Sequence, residues 1–147
     1  MTAIGNGEGR SPFLKAAIIS NSVKTIGDNA FFGSGNSSDV DELLITMGAN
    51  VEEIGSSAFL SCLKLKSIVL PKVLKAIPGD CFSGTRIKDV VIPASVMSIG
   101  DQAFSWNDSI KTIRIEDSDK SISFNDYSYS TFDNGGASYT VYQGRDI

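Results

Sequence analysis

The chain has 147 residues, 41% of them hydrophobic and 20% charged, with a net charge of −4 and no histidine. These proportions describe a folded chain of about one domain, and without a basic run they exclude nucleic acid and anionic membrane surfaces as evident partners. The missing imidazole removes Ser-His-Asp and Cys-His nucleophile pairs and the commonest zinc ligand, so no enzyme activity is expected.

Residues 1–13 are rich in glycine and contain Pro12, and are read as an irregular lead-in. They lack the basic segment and apolar stretch of a secretory signal, and no apolar run approaches the length of a membrane span. The expectation is an intracellular protein or an excised fragment of a longer one. From there to residue 115 five segments share a template whose first, fourth and sixth residues are apolar. They are Leu14-Ala17-Ile19, Val40-Leu43-Ile45, Leu65-Ile68-Leu70, Ile87-Val90-Ile92 and Ile110-Ile113-Ile115. Two apolar residues two apart project from one side of a strand, so each segment is predicted to be a short strand. Self-similarity at twenty-odd residues is the signature of stacked repeats.

A second pattern follows the strands: Val23/Ile26, Val51/Ile54, Leu74/Ile77 and Val96/Ile99. Beyond it stand Phe31, Phe59, Phe82 and Phe104, each preceded by a small residue, Ala30, Ala58, Cys81 or Ala103. Small beside large lets neighbouring layers interdigitate. Gly27, Gly55 and Gly100 follow the isoleucines, but Pro78 occupies the same place in the third repeat, so a positive φ is not required there. The polar pairs that come next, Asp28-Asn29, Ser56-Ser57 and Asp101-Gln102, suit an N-cap opening one short helical turn. Residues 33–39 read as a solvent loop, a tolerated insertion at a corner. Residues 116–147 read as an atypical last coil or C-terminal cap.

The copies Val23 to Phe31, Val51 to Phe59 and Val96 to Phe104 share the pattern Val-x-x-Ile-Gly-x-x-Ala-Phe, and Leu-x-x-Ile-x-Leu-Pro occurs at Leu65 to Pro71. This resembles the BspA-type leucine-rich repeat, over residues 14–115 closely and 116–147 loosely. The resemblance implies an α/β repeat solenoid, a right-handed leucine-rich-repeat superhelix with one short parallel strand plus a turn or short helix per coil. It also implies membership of a long bacterial or protozoan surface protein that binds host proteins, matrix proteins or other cells.

Other motifs have plainer readings. Cys62 and Cys81 are read as core packing residues, with a disulfide between adjacent coils as the alternative. The carboxylates at Asp39-Asp41-Glu42 and Glu116-Asp117-Asp119 lack calcium-loop spacing. Gly5 to Gly9 lack the strand and Lys-Ser/Thr pair of a phosphate loop. No cofactor or metal is expected.

If positions four and six point inward, position five points outward. That column reads Ile18, Leu44, Val69, Val91, Arg114, and its four aliphatic members would span about 14 Å of the sheet. A second outward column reads Lys15, Asp41, Lys66, Lys88, Lys111. Branched residues suit strands in any case. The sharper reading is an apolar strip bordered by cations that docks a protein. The candidate protein-binding residues are Ile18, Leu44, Val69, Val91, Lys66, Lys88, Lys111 and Arg114. The expected function is therefore a non-enzymatic protein-binding domain of an adhesion-type protein, cell-surface or secreted, with a host, matrix or cell-surface protein as partner. The alternatives are a structural spacer in a longer repeat protein and an intracellular ligand-binding repeat protein.

Overall fold

The computed structural model describes residues 3–7, 10–116, 123–124 and 140–143. Its strands are short and pair only in parallel, because each belongs to a different turn of the repeating chain. One ladder is made by β2 (Ala16–Ile18) with β4 (Leu44–Thr46), and further along by β7 (Asp89–Ile92), β9 (Thr112–Ile115) and β11 (Thr140–Gln143). Between these sheets the third repeat contributes a single bridge, Leu43 to Leu65. Lys66 and Ser67 both face solvent there, as Lys88 and Asp89 do at the start of β7.

The second ladder holds β1 (Ala3–Ile4), β3 (Thr25–Ile26) and β5 (Glu53–Ile54) in one sheet. A separate sheet contains β6 (Ala76–Ile77), β8 (Ser98–Ile99) and β10 (Ser123–Phe124). Pro78 explains the division. The Gly55 amide donates to the Ile26 carbonyl and the Gly100 amide to the Ile77 carbonyl, each at 2.7 Å. Proline has no N–H, so the equivalent bond to the Ile54 carbonyl is missing. β1 lies inside the stretch expected to be an irregular lead-in, and its pairing with β3 extends the repeat pattern by one layer. The proposed cap at 116–147 lies mostly outside the described residues.

The third side of each repeat departs from expectation. Among the described residues there is no helix, and the predicted N-capped helical turn is instead a run of tight turns. Asn29, Ser57, Asp80 and Gln102 adopt left-handed φ values of 55° to 57°. Alternate amides then point in different directions. The amides of Ala58 and Leu60 donate three residues back, to Gly55 and Ser57, while those of Phe59 and Ser61 donate across to Cys81 and Ser83 of the next repeat. A helical turn would aim every amide along its own axis and leave none for the neighbour. Joining the repeats has therefore displaced local helix formation.

The core is layered as the small-large pattern predicts. Phe31, Phe59, Phe82 and Phe104 stack in sequence, with centroids 5.1, 5.4 and 5.4 Å apart and ring planes 4°, 7° and 16° from parallel. Ala58, Cys81 and Ala103 are buried beside them. Gly27, Gly55 and Gly100 are absent from the positive-φ residues, as Pro78 implied. Close approach is what they serve: a Cβ at Gly55 would stand 2.3 Å from the Asp28 nitrogen.

Candidate functional site

The strand alternation places each proposed outward side chain in solvent. Ile18 is 83% exposed, Val69 82%, Leu44 53% and Val91 42%, while Ile45, Ile68, Leu70, Val90 and Ile92 are buried. Lys66, Lys88, Lys111 and Arg114 are also exposed.

The register corrects the predicted columns. Ile18 pairs with Thr46, and Leu44 pairs with Ala16. Leu44 therefore lies two residues out of line, and Thr46 takes its place beside Ile18. Lys15 likewise does not adjoin Asp41, since the Leu44 amide donates to the Lys15 carbonyl. The cause lies in the second repeat, where the inward residues Leu43 and Ile45 are only two apart and Val40 is buried at the corner before the strand. A signal for this was available. One shift of 28 residues relates Phe31 to Phe59 and Ile26 to Ile54, and carried backwards it relates Ile18 to Thr46.

From the third repeat onward the columns hold. Val91 pairs directly with Arg114. The Lys88 amide donates to the Lys66 carbonyl at 3.4 Å and the Lys111 amide to the Lys88 carbonyl at 2.7 Å, so these three lysines stand on adjacent repeats. Val69 and Val91 line one cleft of about 410 Å³, floored by Ile68 and Leu70 and flanked by Pro93. Lys72 and Glu116, on opposite sides of the fourth repeat in sequence, form an ion pair at its rim. Asp89 also borders the cleft, and its carboxylate accepts the Thr112 hydroxyl. The structure thus brings Val69, Val91, Arg114, Lys66, Lys88 and Lys111 together and leaves Ile18 and Leu44 apart.

Charge is unevenly matched between this face and its surroundings. Lys72, Lys75 and Arg86 each pair with a carboxylate, those of Glu116, Glu52 and Asp108 respectively. The Arg86 guanidinium holds the Asp108 carboxyl below its ordinary value. Lys66, Lys88, Lys111 and Arg114 make no ion pair among the described residues.

The cysteines offer no nucleophile. Both are buried free thiols, so the alternative of a disulfide does not hold. Burial pushes the Cys62 thiol up to about 12, against the partly offsetting Ser34 and Gly33 amides, and raises Cys81 well above its ordinary value. The Cys62 thiol donates to the Phe31 carbonyl at 3.0 Å. Among the described residues no three His, Cys, Asp or Glu side chains are grouped to hold a metal ion.

Sequence reasoning passed over Trp106, which is 72% exposed at a left-handed φ of 55°. Its only signal is a large aromatic where the earlier repeats carry Gly33, Ser61 and Gly84, all with positive φ.

The chain matches the BspA type leucine rich repeat region over residues 4–134, in six copies. It belongs to the BspA-type leucine-rich-repeat family. A similar fold is found in a leucine rich cell surface protein from Faecalibacterium prausnitzii A2-165, with a TM-score of 0.68 and 22% identity. That match covers 89% of this chain but only 32% of the other. A leucine-rich repeat protein from Bacteroides ovatus ATCC 8483 matches at a TM-score of 0.44 and 25% identity, over 97% of this chain and 47% of that one. No curated protein matches the sequence.

Proposed function

We propose that this BspA-type chain is a non-enzymatic protein-binding domain whose docking surface is the exposed sheet of its third to fifth repeats. The observation that carries this is Val69, an aliphatic side chain 82% exposed at the mouth of an apolar cleft, with Val91 beside it. Solvent-facing apolar clefts with a polar rim are the usual form of an interaction site. The successive repeats are taken to wind as a right-handed solenoid, the hand that crossovers between parallel strands adopt in nearly all cases. A cell-surface or secreted setting of adhesive type, with a host, matrix or cell-surface protein as partner, fits the family and the cell-surface protein that shares the fold.

The test compares wild type, Val69→Asp and Lys24→Asp in capture from matrix and host-surface extracts. Val69→Asp should change stability by only about 0.5 kcal/mol or less, as an exposed position. It should abolish most capture, because a carboxylate pressed against an apolar partner is left unpaired. Lys24→Asp, on the connecting segment, should capture as wild type does. Equal capture by all three rejects the sheet as the site and leaves the spacer reading in its place.

A further inference from the structure

Resting on that reading of the sheet, we propose that the cleft takes an extended peptide segment in which acidic and apolar residues alternate, running across the strands. Charge complementarity names the acidic half. The chain carries a net charge of −4, yet this face concentrates Lys66, Lys88, Lys111 and Arg114 without an ion pair among the described residues. Asp89 is the one unpaired carboxylate on the cleft wall, and the Thr112 hydroxyl already donates to it. At the neighbouring corners Lys72, Lys75 and Arg86 each have a carboxylate partner, while the four cations of the sheet have none among the described residues.

Geometry supplies the alternation. Lys66 and Val69 are three residues apart on one repeat, which is about 10 Å along an extended chain. The lysine row and the Val69-Val91 strip are thus two parallel lines that cross the strands, roughly 10 Å from one another. An extended peptide laid between them sends successive side chains to opposite sides, one set to the lysines and the other into the cleft. Lys66 to Lys111 spans two repeat steps, about 10 Å, enough to face two carboxylates about 7 Å apart. A bare polyanion, whether nucleic acid or sulfated glycan, would use the lysines and have no need of the cleft. A purely apolar peptide would have no need of the lysines.

The probe is a fluorescein-labelled octapeptide of alternating Glu and Leu, followed by anisotropy. Glu-Ser and Lys-Leu octapeptides and a heparin hexasaccharide serve as comparisons. The Glu-Leu peptide should bind saturably, and the other two peptides at least about tenfold more weakly, the loss typical of removing one central contact. Val69→Asp should lose the Glu-Leu peptide by a similar factor, and Lys24→Asp should not. The combined Lys66→Glu, Lys88→Glu and Lys111→Glu variant should lose the Glu-Leu peptide and gain the Lys-Leu peptide. Because that is a gain, misfolding cannot imitate it. Equal binding of Glu-Ser, or heparin binding that Val69→Asp leaves unchanged, overturns the proposal in favour of a polyanion surface. Equal binding of Lys-Leu overturns it in favour of unselective apolar contact. If the Glu-Leu peptide fails to bind while Val69→Asp still abolishes capture from extracts, the acidic chemistry falls and the sheet remains the docking surface. If both fail, both readings fall.

Discussion

At the scale of single residues, a buried polar position recurs beside the phenylalanine stack. It is filled by Ser34, Cys62, Thr85 and Asn107, and each polar atom finds a partner. The Cys62 thiol bonds the Phe31 carbonyl, the Thr85 hydroxyl bonds the Phe82 carbonyl at 2.9 Å, and the Asn107 amide donates to the Thr85 hydroxyl at 3.2 Å. The Ser11 amide donates to the Ser34 hydroxyl. Buried polar atoms are rarely left without such bonds. Cys62→Thr should therefore fold, since threonine serves at the equivalent place one repeat later. The two proteins should differ in alkali. A thiol whose folded value is raised keeps its proton longer in the native state, so the unfolded state binds fewer protons above the ordinary value. Stability due to the protonated Cys62 is full below about 9.0 and declines towards about 12. Urea denaturation from neutral pH into that window should show wild type losing stability more steeply than Cys62→Thr. Parallel loss in both proteins would contradict the buried thiol.

At the scale of elements, the second ladder is governed by two substitutable positions. Gly55→Ala would place a methyl 2.3 Å from the Asp28 nitrogen, a backbone atom that cannot swing aside. Overpacking of this kind typically costs about 1–3 kcal/mol, and the denaturation midpoint should fall accordingly. Pro78→Gly acts in the opposite sense on the ladder, since it creates an amide facing the Ile54 carbonyl. By analogy with the Gly55 and Gly100 bonds, that new amide should be protected from hydrogen exchange and the two sheets should join. Stability should change little, because one bond worth about 1 kcal/mol is set against the lost rigidity of proline. An amide at position 78 that exchanges as freely as an unstructured one would show that the sheets are parted for another reason.

At the scale of the whole molecule, the ring stack distributes stability unevenly along the repeats. Phe82 has rings on both sides, Phe59 and Phe104, whereas Phe31 is stacked on Phe59 alone among the described residues. Repeat proteins are stabilised by nearest-neighbour interfaces, so Phe82→Ala should cost about 3–5 kcal/mol and Phe31→Ala distinctly less. Ranking the two by urea denaturation checks the layer scheme, and the reverse order would refute it. The same layering shapes the candidate site. Lys72 and Glu116 meet across 44 residues of sequence because the intervening repeats bring them to one rim.

The sequence alone determined which side chains face inward, the phenylalanine stack, the small residues beside it and the family, because burial leaves a periodic mark on residue choice that each repeat renews. It also carried the aliphatic and cationic character of Val69, Val91, Lys66, Lys88 and Lys111. Only the tertiary structure decided that Leu44 stands outside the strip and Thr46 within it. A strand's side chains alternate with period two, so a slip of two residues keeps every inward residue inward, and the alternation within the strand does not distinguish the two registers; only the 28-residue spacing of Phe31 and Phe59 outside it hints at the right one. Backbone bonds between repeats make that choice. They also made left-handed turns of segments that local capping chemistry read as helical, since amides aimed at the next repeat are worth more here than amides closed upon their own turn.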